Sequence, residues 1–147
     1  MRTSRTLLAL ALGVAAVAGC KKKENSTVGA DSSLVANEPA FRVQNIDLGK
    51  SVGTDKRVVA STDNFGTRDT VYASVMTEGS APSKTITARW TFEDGQVVNE
   101  ETQTISPSGP AVTEFHITKA TPWPAGKYKV EILVDGASAG TKDFEVK

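Results

Sequence analysis

His116 is the only histidine of the chain, and it is therefore the first side chain to consider as a general base or a metal ligand. It stands between Phe115 and Ile117, so in a β-strand it points away from the face that carries these apolar neighbours. Serines are frequent, but none lies in the Gly-x-Ser-x-Gly pattern of one hydrolase class. The sequence predicts that the chain is not an enzyme and that His116 is a solvated strand residue.

Two pairs of neighbouring acidic residues, Glu93-Asp94 and Glu100-Glu101, could in principle act as paired acids or bind calcium. They lack the spacing of a calcium-binding loop and flank a predicted hairpin, which favours solvated charges at a sheet edge. Glycine-rich phosphate loops are also lacking from the sequence. We therefore expect neither a metal site nor a cofactor.

Cys20 is the only cysteine, which excludes an internal disulfide and any site built from several cysteines. Charge is balanced, with 17 Lys plus Arg against 17 Asp plus Glu. Loss of Arg2 and Arg5 with an N-terminal signal would leave 15 basic against the same 17 acidic residues, a net charge of about −2. A nucleic-acid partner is not expected of a chain with this balance.

The N-terminus has the form of a secretory signal: two arginines, then an apolar run over 7–18. That run is shorter than the roughly 20 residues of a permanent membrane span. Val17-Ala18-Gly19-Cys20, which follows, resembles the lipobox of bacterial lipoproteins at all four positions. The resemblance implies removal of residues 1–19 and lipidation of Cys20, which would anchor the protein to a membrane. An ordinary signal peptide with a chance cysteine is the alternative.

Residues 20–40 are rich in Asn, Ser, Thr, Ala and Gly without periodicity, which predicts a flexible tether behind the anchor. Lys21-Lys22-Lys23 would contact anionic head groups or form a solvated charge run. In the sorting rule of Gram-negative lipoproteins, an aspartate directly after the cysteine marks inner-membrane retention. Lys21 departs from that rule, so the resemblance implies the outer membrane in a Gram-negative cell.

Residues 41–147 read as short strands separated by turns, with no helical periodicity. The organising element is a predicted hairpin. Apolar residues alternate from Tyr128 to Val134 in its first strand, Asp135-Gly136 forms the turn, and Phe144 and Val146 give the second strand a matching apolar face. Further strands are expected around 43–48, 70–77, 85–92, 97–105 and 115–117, with a short additional strand-like piece at 57–60. Turns are predicted at 63–66 and at Asp94-Gly95. About seven such strands predict a single antiparallel two-layer β-sandwich.

Trp90 lies in the third main predicted strand and Tyr128 begins a late one, where immunoglobulin-like and fibronectin type III-like sandwiches place a core tryptophan and a corner tyrosine. The stretch from Trp123 to Val146 also resembles the closing hairpin of immunoglobulin-like modules in secreted bacterial proteins. The resemblance covers residues 41–147 and implies a sandwich without a particular activity. Without a cysteine pair, the disulfide-bonded subtype is excluded.

Trp123, between two prolines, is the one residue that indicates partner binding, because large aromatics on stiff loops dominate interface hot spots. Alternatively, it covers the open end of the core beneath Tyr128. The sequence thus predicts a lipid-anchored envelope protein whose sandwich is a non-enzymatic binding or assembly module with an envelope protein partner. Two alternatives stay open, a protease inhibitor using the loop at 107–110 and a structural spacer.

Overall fold

A computed structural model describes residues 39–147; the predicted signal segment at 1–19, Cys20 and nearly all of the predicted tether lie outside this range. The described part of the chain contains eight strands and no helix. No helix capable of crossing a membrane is therefore found among these residues. The strands are β1 (Arg42–Gly49), β2 (Asn64–Phe65), β3 (Val71–Glu78), β4 (Lys84–Phe92), β5 (Gln96–Ile105), β6 (Ala111–Ile117), β7 (Gly126–Val134) and β8 (Ala137–Val146).

The strands form two sheets, one with the order β1-β3-β6 and one with the order β2-β8-β7-β4-β5. All long strands pair antiparallel, and only the two-residue β2 runs parallel to its neighbour β8. Alternate residues of the long strands turn towards a common core, as the period of two requires. The prediction of an all-β antiparallel sandwich is confirmed.

The core lies between the two sheets and is built from the apolar positions that alternate along the strands. Trp90 is fully buried, and its ring meets that of Phe144 edge to face, with centroids 5.9 Å apart. Tyr128 stacks on Phe144 at 5.3 Å. The other fully buried large side chains are Leu48, Val71, Val75, Ile86, Phe115, Val130, Ile132 and Val146.

The β7–β8 hairpin has the two-residue turn that its sequence predicts, with positive φ at Asp135 (50°) and Gly136 (83°). The β4–β5 connection differs from the expected two-residue turn. It is a three-residue loop in which Glu93 (φ 46°) and Gly95 (φ 97°) adopt the left-handed conformation, since Phe92 pairs with Gln96. A register shift between Trp90 and Thr91 accompanies it.

Two local predictions between β1 and β3 are wrong. Residues 57–60 do not form a strand; this stretch makes only an isolated bridge between Val52 and Val58. Residues 63–66 are not a simple turn, because Asn64 and Phe65 pair with the end of β8. Apolar residues in 57–60 have the pattern of a strand, but apart from this bridge they pair with no strand among the described residues, and the side chain of Val59 is 70% exposed.

Candidate functional site

His116 lies on the outer face of β6, as its position between two apolar residues predicts. Its Nδ1 is 2.8 Å from Oε1 of Glu114, and its ring lies 5.3 Å from that of Tyr72 on the neighbouring strand β3. The ring is exposed, whereas Phe115 beside it is fully buried. The arrangement pairs an imidazole with one carboxylate on an open sheet face. That His116 is non-catalytic stays a prediction.

The two predicted acidic pairs do not converge on one site. Glu93 sits in the β4–β5 loop, where its Oε1 accepts a hydrogen bond from the backbone of Lys127 at 3.0 Å. Glu100 pairs with Arg89 on the outer sheet face, with Nε to Oε2 at 2.7 Å. Glu101 points to the opposite face, as a neighbour in a strand must. Across residues 39–147 there is no cluster of three His, Cys, Asp or Glu side chains suited to hold a metal ion.

Trp123 occupies the position of the core lid, the second of the two interpretations that its sequence context allows. Its side chain is 7% exposed, and its ring meets that of Tyr128 edge to face, with centroids 6.2 Å apart. Its Nε1 donates to the carbonyl oxygen of Asp69 at 3.1 Å, and its backbone N–H donates to Thr67 at 2.7 Å. Lys119 Nζ lies 5.7 Å from the ring centroid.

Asp69 fixes the segment to which Trp123 is bonded. Its carboxylate forms an ion pair with Lys50 at 2.7 Å and accepts the backbone N–H of Gly66 at 2.7 Å. The hydrogen bond from Lys50, followed by that from Gly66, lowers the pKa of Asp69 below its ordinary value of 3.8. Trp123 is thus bonded to a segment that is itself held by a charged pair.

Tyr128 makes the contact of a tyrosine corner: its hydroxyl donates to the carbonyl oxygen of Pro124, four residues upstream, at 2.8 Å. Burial, followed by the charge of Glu93, raises the pKa of Tyr128 above its ordinary value of 10.0. This contact holds the Trp123 loop against the start of β7. The corner role that the resemblance implies for Tyr128 is therefore present in the geometry.

We expect Trp123→Phe to lower the free energy of unfolding by about 1 kcal/mol, because it removes the Nε1 donor to Asp69 but keeps an aromatic ring beside Tyr128. Urea unfolding followed by circular dichroism would measure the change. Tyr128→Phe is the matched variant, since it also removes one hydrogen bond and leaves the ring in place. A Trp123→Phe protein as stable as the parent would contradict the lid.

The loop at 107–110, the candidate for an inhibitory loop, lies close to the sandwich. The carbonyl oxygen of Pro107, whose side chain is buried, accepts the backbone N–H of Ala81 at 3.0 Å. Gly109 N–H donates to Gly79 at 3.3 Å. A loop tied down at both positions does not project as entry into a protease cleft requires.

A groove of about 600 Å³ lies between β5 and the end of β6, the edge strands of the two sheets, and this is the open side of the sandwich. The sheets are linked at one end of this open side, where Gln103 Nε2 donates to the carbonyl oxygen of Glu114 at 2.8 Å. The aromatic side chains of Phe92, Trp123 and Tyr128 form the floor of the groove. The groove is lined by Phe92, Val97, Val98, Lys119, Trp123 and Tyr128, among others.

The groove brings Trp123, predicted from the sequence, together with β5 residues that sequence reasoning did not select. Val97 is the most exposed large apolar residue among them, at 53%. The available signal was the lack of regular apolar alternation from residue 99 to residue 104, which is typical of an edge strand. That signal identifies β5 as an edge strand, but it does not show which strand of the other sheet lies opposite β5.

No protein-family model matches the chain, and no curated protein was found to match its sequence. Among solved structures, it is similar to an immunoglobulin-like protein from Pseudomonas aeruginosa, at 12% identity and a TM-score of 0.49, covering 76% of this chain and 99% of that one. A CARDB domain from Pyrococcus furiosus in complex with di-metal ions is 16% identical, with a TM-score of 0.46 and coverage of 76% and 90%.

An alkylpurine DNA glycosylase from Pseudomonas fluorescens, solved with DNA that contains an abasic site analogue, is 14% identical, with a TM-score of 0.48. The match covers 73% of this chain but only 30% of the glycosylase. The two-sheet sandwich is evident from the strand pairing of this chain itself.

Proposed function

We propose that this protein is a lipid-anchored cell-envelope lipoprotein whose sandwich is a non-enzymatic module that binds another envelope protein. The anchor rests on Val17-Ala18-Gly19-Cys20, in which the only cysteine of the chain occupies the position that would carry the lipid. Several acyl chains, each gaining about 0.8 kcal/mol per buried CH₂, make release from a membrane slow. Lys21 in place of aspartate favours the outer membrane in a Gram-negative cell.

The binding role is carried by one observation, the open side of the sandwich between β5 and β6. This side combines an aromatic floor with an edge of β5 that pairs with no other described strand, and either feature can accept a segment of another chain. A lipid anchor confines such a module to the membrane surface, which raises its effective concentration towards partners held at the same surface.

Neither alternative has a comparable observation in its favour. A protease inhibitor needs a rigid projecting loop with a bulky anchor residue, and the loop at 107–110 is hydrogen-bonded to the segment 79–81 instead. A structural spacer would not require the groove between β5 and β6, so the groove does not favour that alternative.

A photo-crosslinking amino acid at position 97, introduced in the full-length protein in intact cell envelopes, should capture a protein partner, since Val97 is exposed at the groove. Position 59 is the matched control, because Val59 is also exposed, at 70%, but does not line the groove. Gel mobility and mass spectrometry would identify the product. No adduct from position 97, or equal capture from both positions, would count against a binding module centred on the open side.

A further inference from the structure

Among the described residues β5 is paired on one side only, so its backbone directs hydrogen-bonding groups away from the sheet at every second residue. Thr85 of β4 accepts a hydrogen bond from Asp135, next to the end of β7, at 2.8 Å, so its backbone is directed towards β7. Direction alternates along an antiparallel strand, so Ala88 is directed towards β5, where it faces Glu101. The intervening residues of β5 therefore direct N–H and C=O away from the sheet. They are Glu100, Thr102 and Thr104.

A strand added beside β5 would have two different sides. Side chains on its core side would pass the half-buried Glu101 and, further along, enter the groove with its aromatic floor. Side chains on its other side would lie beside Glu100, whose carboxylate is already bonded to Arg89. An apolar side chain suits the groove because Phe92 and Val98 are only partly buried there, so that a further apolar group could cover them.

The charged side chains of β5 and β6 restrict the chemistry of the partner further. The two strands that face each other across the open side, β5 and β6, hold three glutamates and neither lysine nor arginine. Within the described residues, Glu101 has no cationic side chain at ion-pair distance and is contacted instead by Gln103 Nε2 at 3.3 Å. A lysine or arginine beside Glu101 would supply the missing counter-charge.

We propose that β5 is the docking edge for an extended basic segment of an envelope protein, which adds to the sheet as a further strand. A Lys or Arg of that segment would pair with Glu101, and an apolar residue would enter the groove. A second copy of this chain is a poorer occupant, since β5 paired with itself gathers four glutamates without a basic residue. The proposal rests on the binding function proposed above and identifies the chemistry of the partner.

The test uses the lipid-anchored full-length protein in non-ionic detergent and a fluorescent peptide, TVTKTVTK, which alternates a threonine side with a side of valine and lysine. Fluorescence polarisation should show saturable binding that weakens as salt screens the charges. The peptide TVTETVTE has the same length and strand propensity, and it should show no binding over the same concentrations.

Two pairs of variants separate the backbone edge from the charge. Thr102→Pro removes one outward N–H and should weaken binding about tenfold, whereas Thr102→Val keeps the N–H. Both variants lose the 2.9 Å hydroxyl contact to Thr87, so they differ in the backbone. Glu101→Gln should weaken binding about threefold, and Glu145→Gln, on β8 away from the open side, should leave it unchanged.

Hydrogen exchange provides an independent measurement, because bound peptide should slow exchange of the amides of Glu100, Thr102 and Thr104. Equal binding of the two peptides, equal binding by the two Thr102 variants, or self-association through β5 in sedimentation would overturn the proposal. If the peptide fails to bind while position 97 still captures a partner in envelopes, the basic-strand inference is wrong and the binding function stands. Loss of the envelope adduct would refute the binding function itself.

Discussion

Trp90→Ala is expected to lower the free energy of unfolding by about 3–5 kcal/mol, the range for truncating a large aromatic residue in a core. Trp90 is fully buried, in strand β4 between β7 and β5, and its ring packs edge to face on Phe144. A domain of this size has about 5–15 kcal/mol of stability, so the variant should be close to unfolding. Urea unfolding followed by far-ultraviolet circular dichroism would measure the loss.

A variant that lacks the indole nitrogen of Trp90 distinguishes the contribution of ring packing from that of hydrogen bonding. Among the described residues, Nε1 of Trp90 is the only buried side-chain nitrogen or oxygen atom without a hydrogen-bond partner. Trp90→Phe removes this unpaired donor and keeps a ring beside Phe144, so it should cost much less than Trp90→Ala. Val97→Ala, at an exposed position, should change stability by less than about 0.5 kcal/mol. A Trp90→Ala loss below about 1 kcal/mol would show that this ring does not anchor the core.

Cys20→Ser is expected to move the protein from the membrane fraction to the soluble fraction. Lipidation forms a thioether on the cysteine sulfur, and a serine hydroxyl cannot replace that sulfur. Since no other cysteine is present in the sequence, no second site could take over the reaction. Fractionation with immunoblotting would measure the change, and it should be nearly complete because acyl chains dominate the membrane affinity.

Lys21→Ser is the matched control, since it changes the residue next to Cys20 and keeps the sulfur. That variant should remain in the membrane fraction. Mass spectrometry of the wild-type protein should show a mature N-terminus at Cys20 with a mass increase that corresponds to the lipid. An unmodified Cys20, or a mature N-terminus elsewhere, would disprove the lipid anchor.

The sequence alone determined the strands that carry a strong apolar alternation. β4 and β7 were predicted because Ile86, Ala88 and Trp90, and likewise Tyr128 and Val130, recur at every second position and share one face. The Asp135-Gly136 turn was predictable because these residues tolerate positive φ. These features are local, since each depends on residues within a few positions of one another.

Tertiary structure decided what depends on residues that are distant in sequence. Trp123 had two interpretations because its burial depends on Asp69, 54 residues away, and on the aromatic ring of Tyr128. The sequence predicts a strand-like piece at 57–60, yet among the described residues this stretch pairs only through the isolated bridge from Val58 to Val52.

The open side is the clearest case of a feature that only the tertiary structure shows. Sequence marks β5 as a polar strand, but its position at a sheet edge opposite β6 follows from pairing between strands far apart in the chain. The link from Gln103 to Glu114 and the groove beyond it arise from that arrangement. The local periodicity of a sequence indicates which face of a strand is buried. Which strand lies beside it depends on the packing of the whole sandwich.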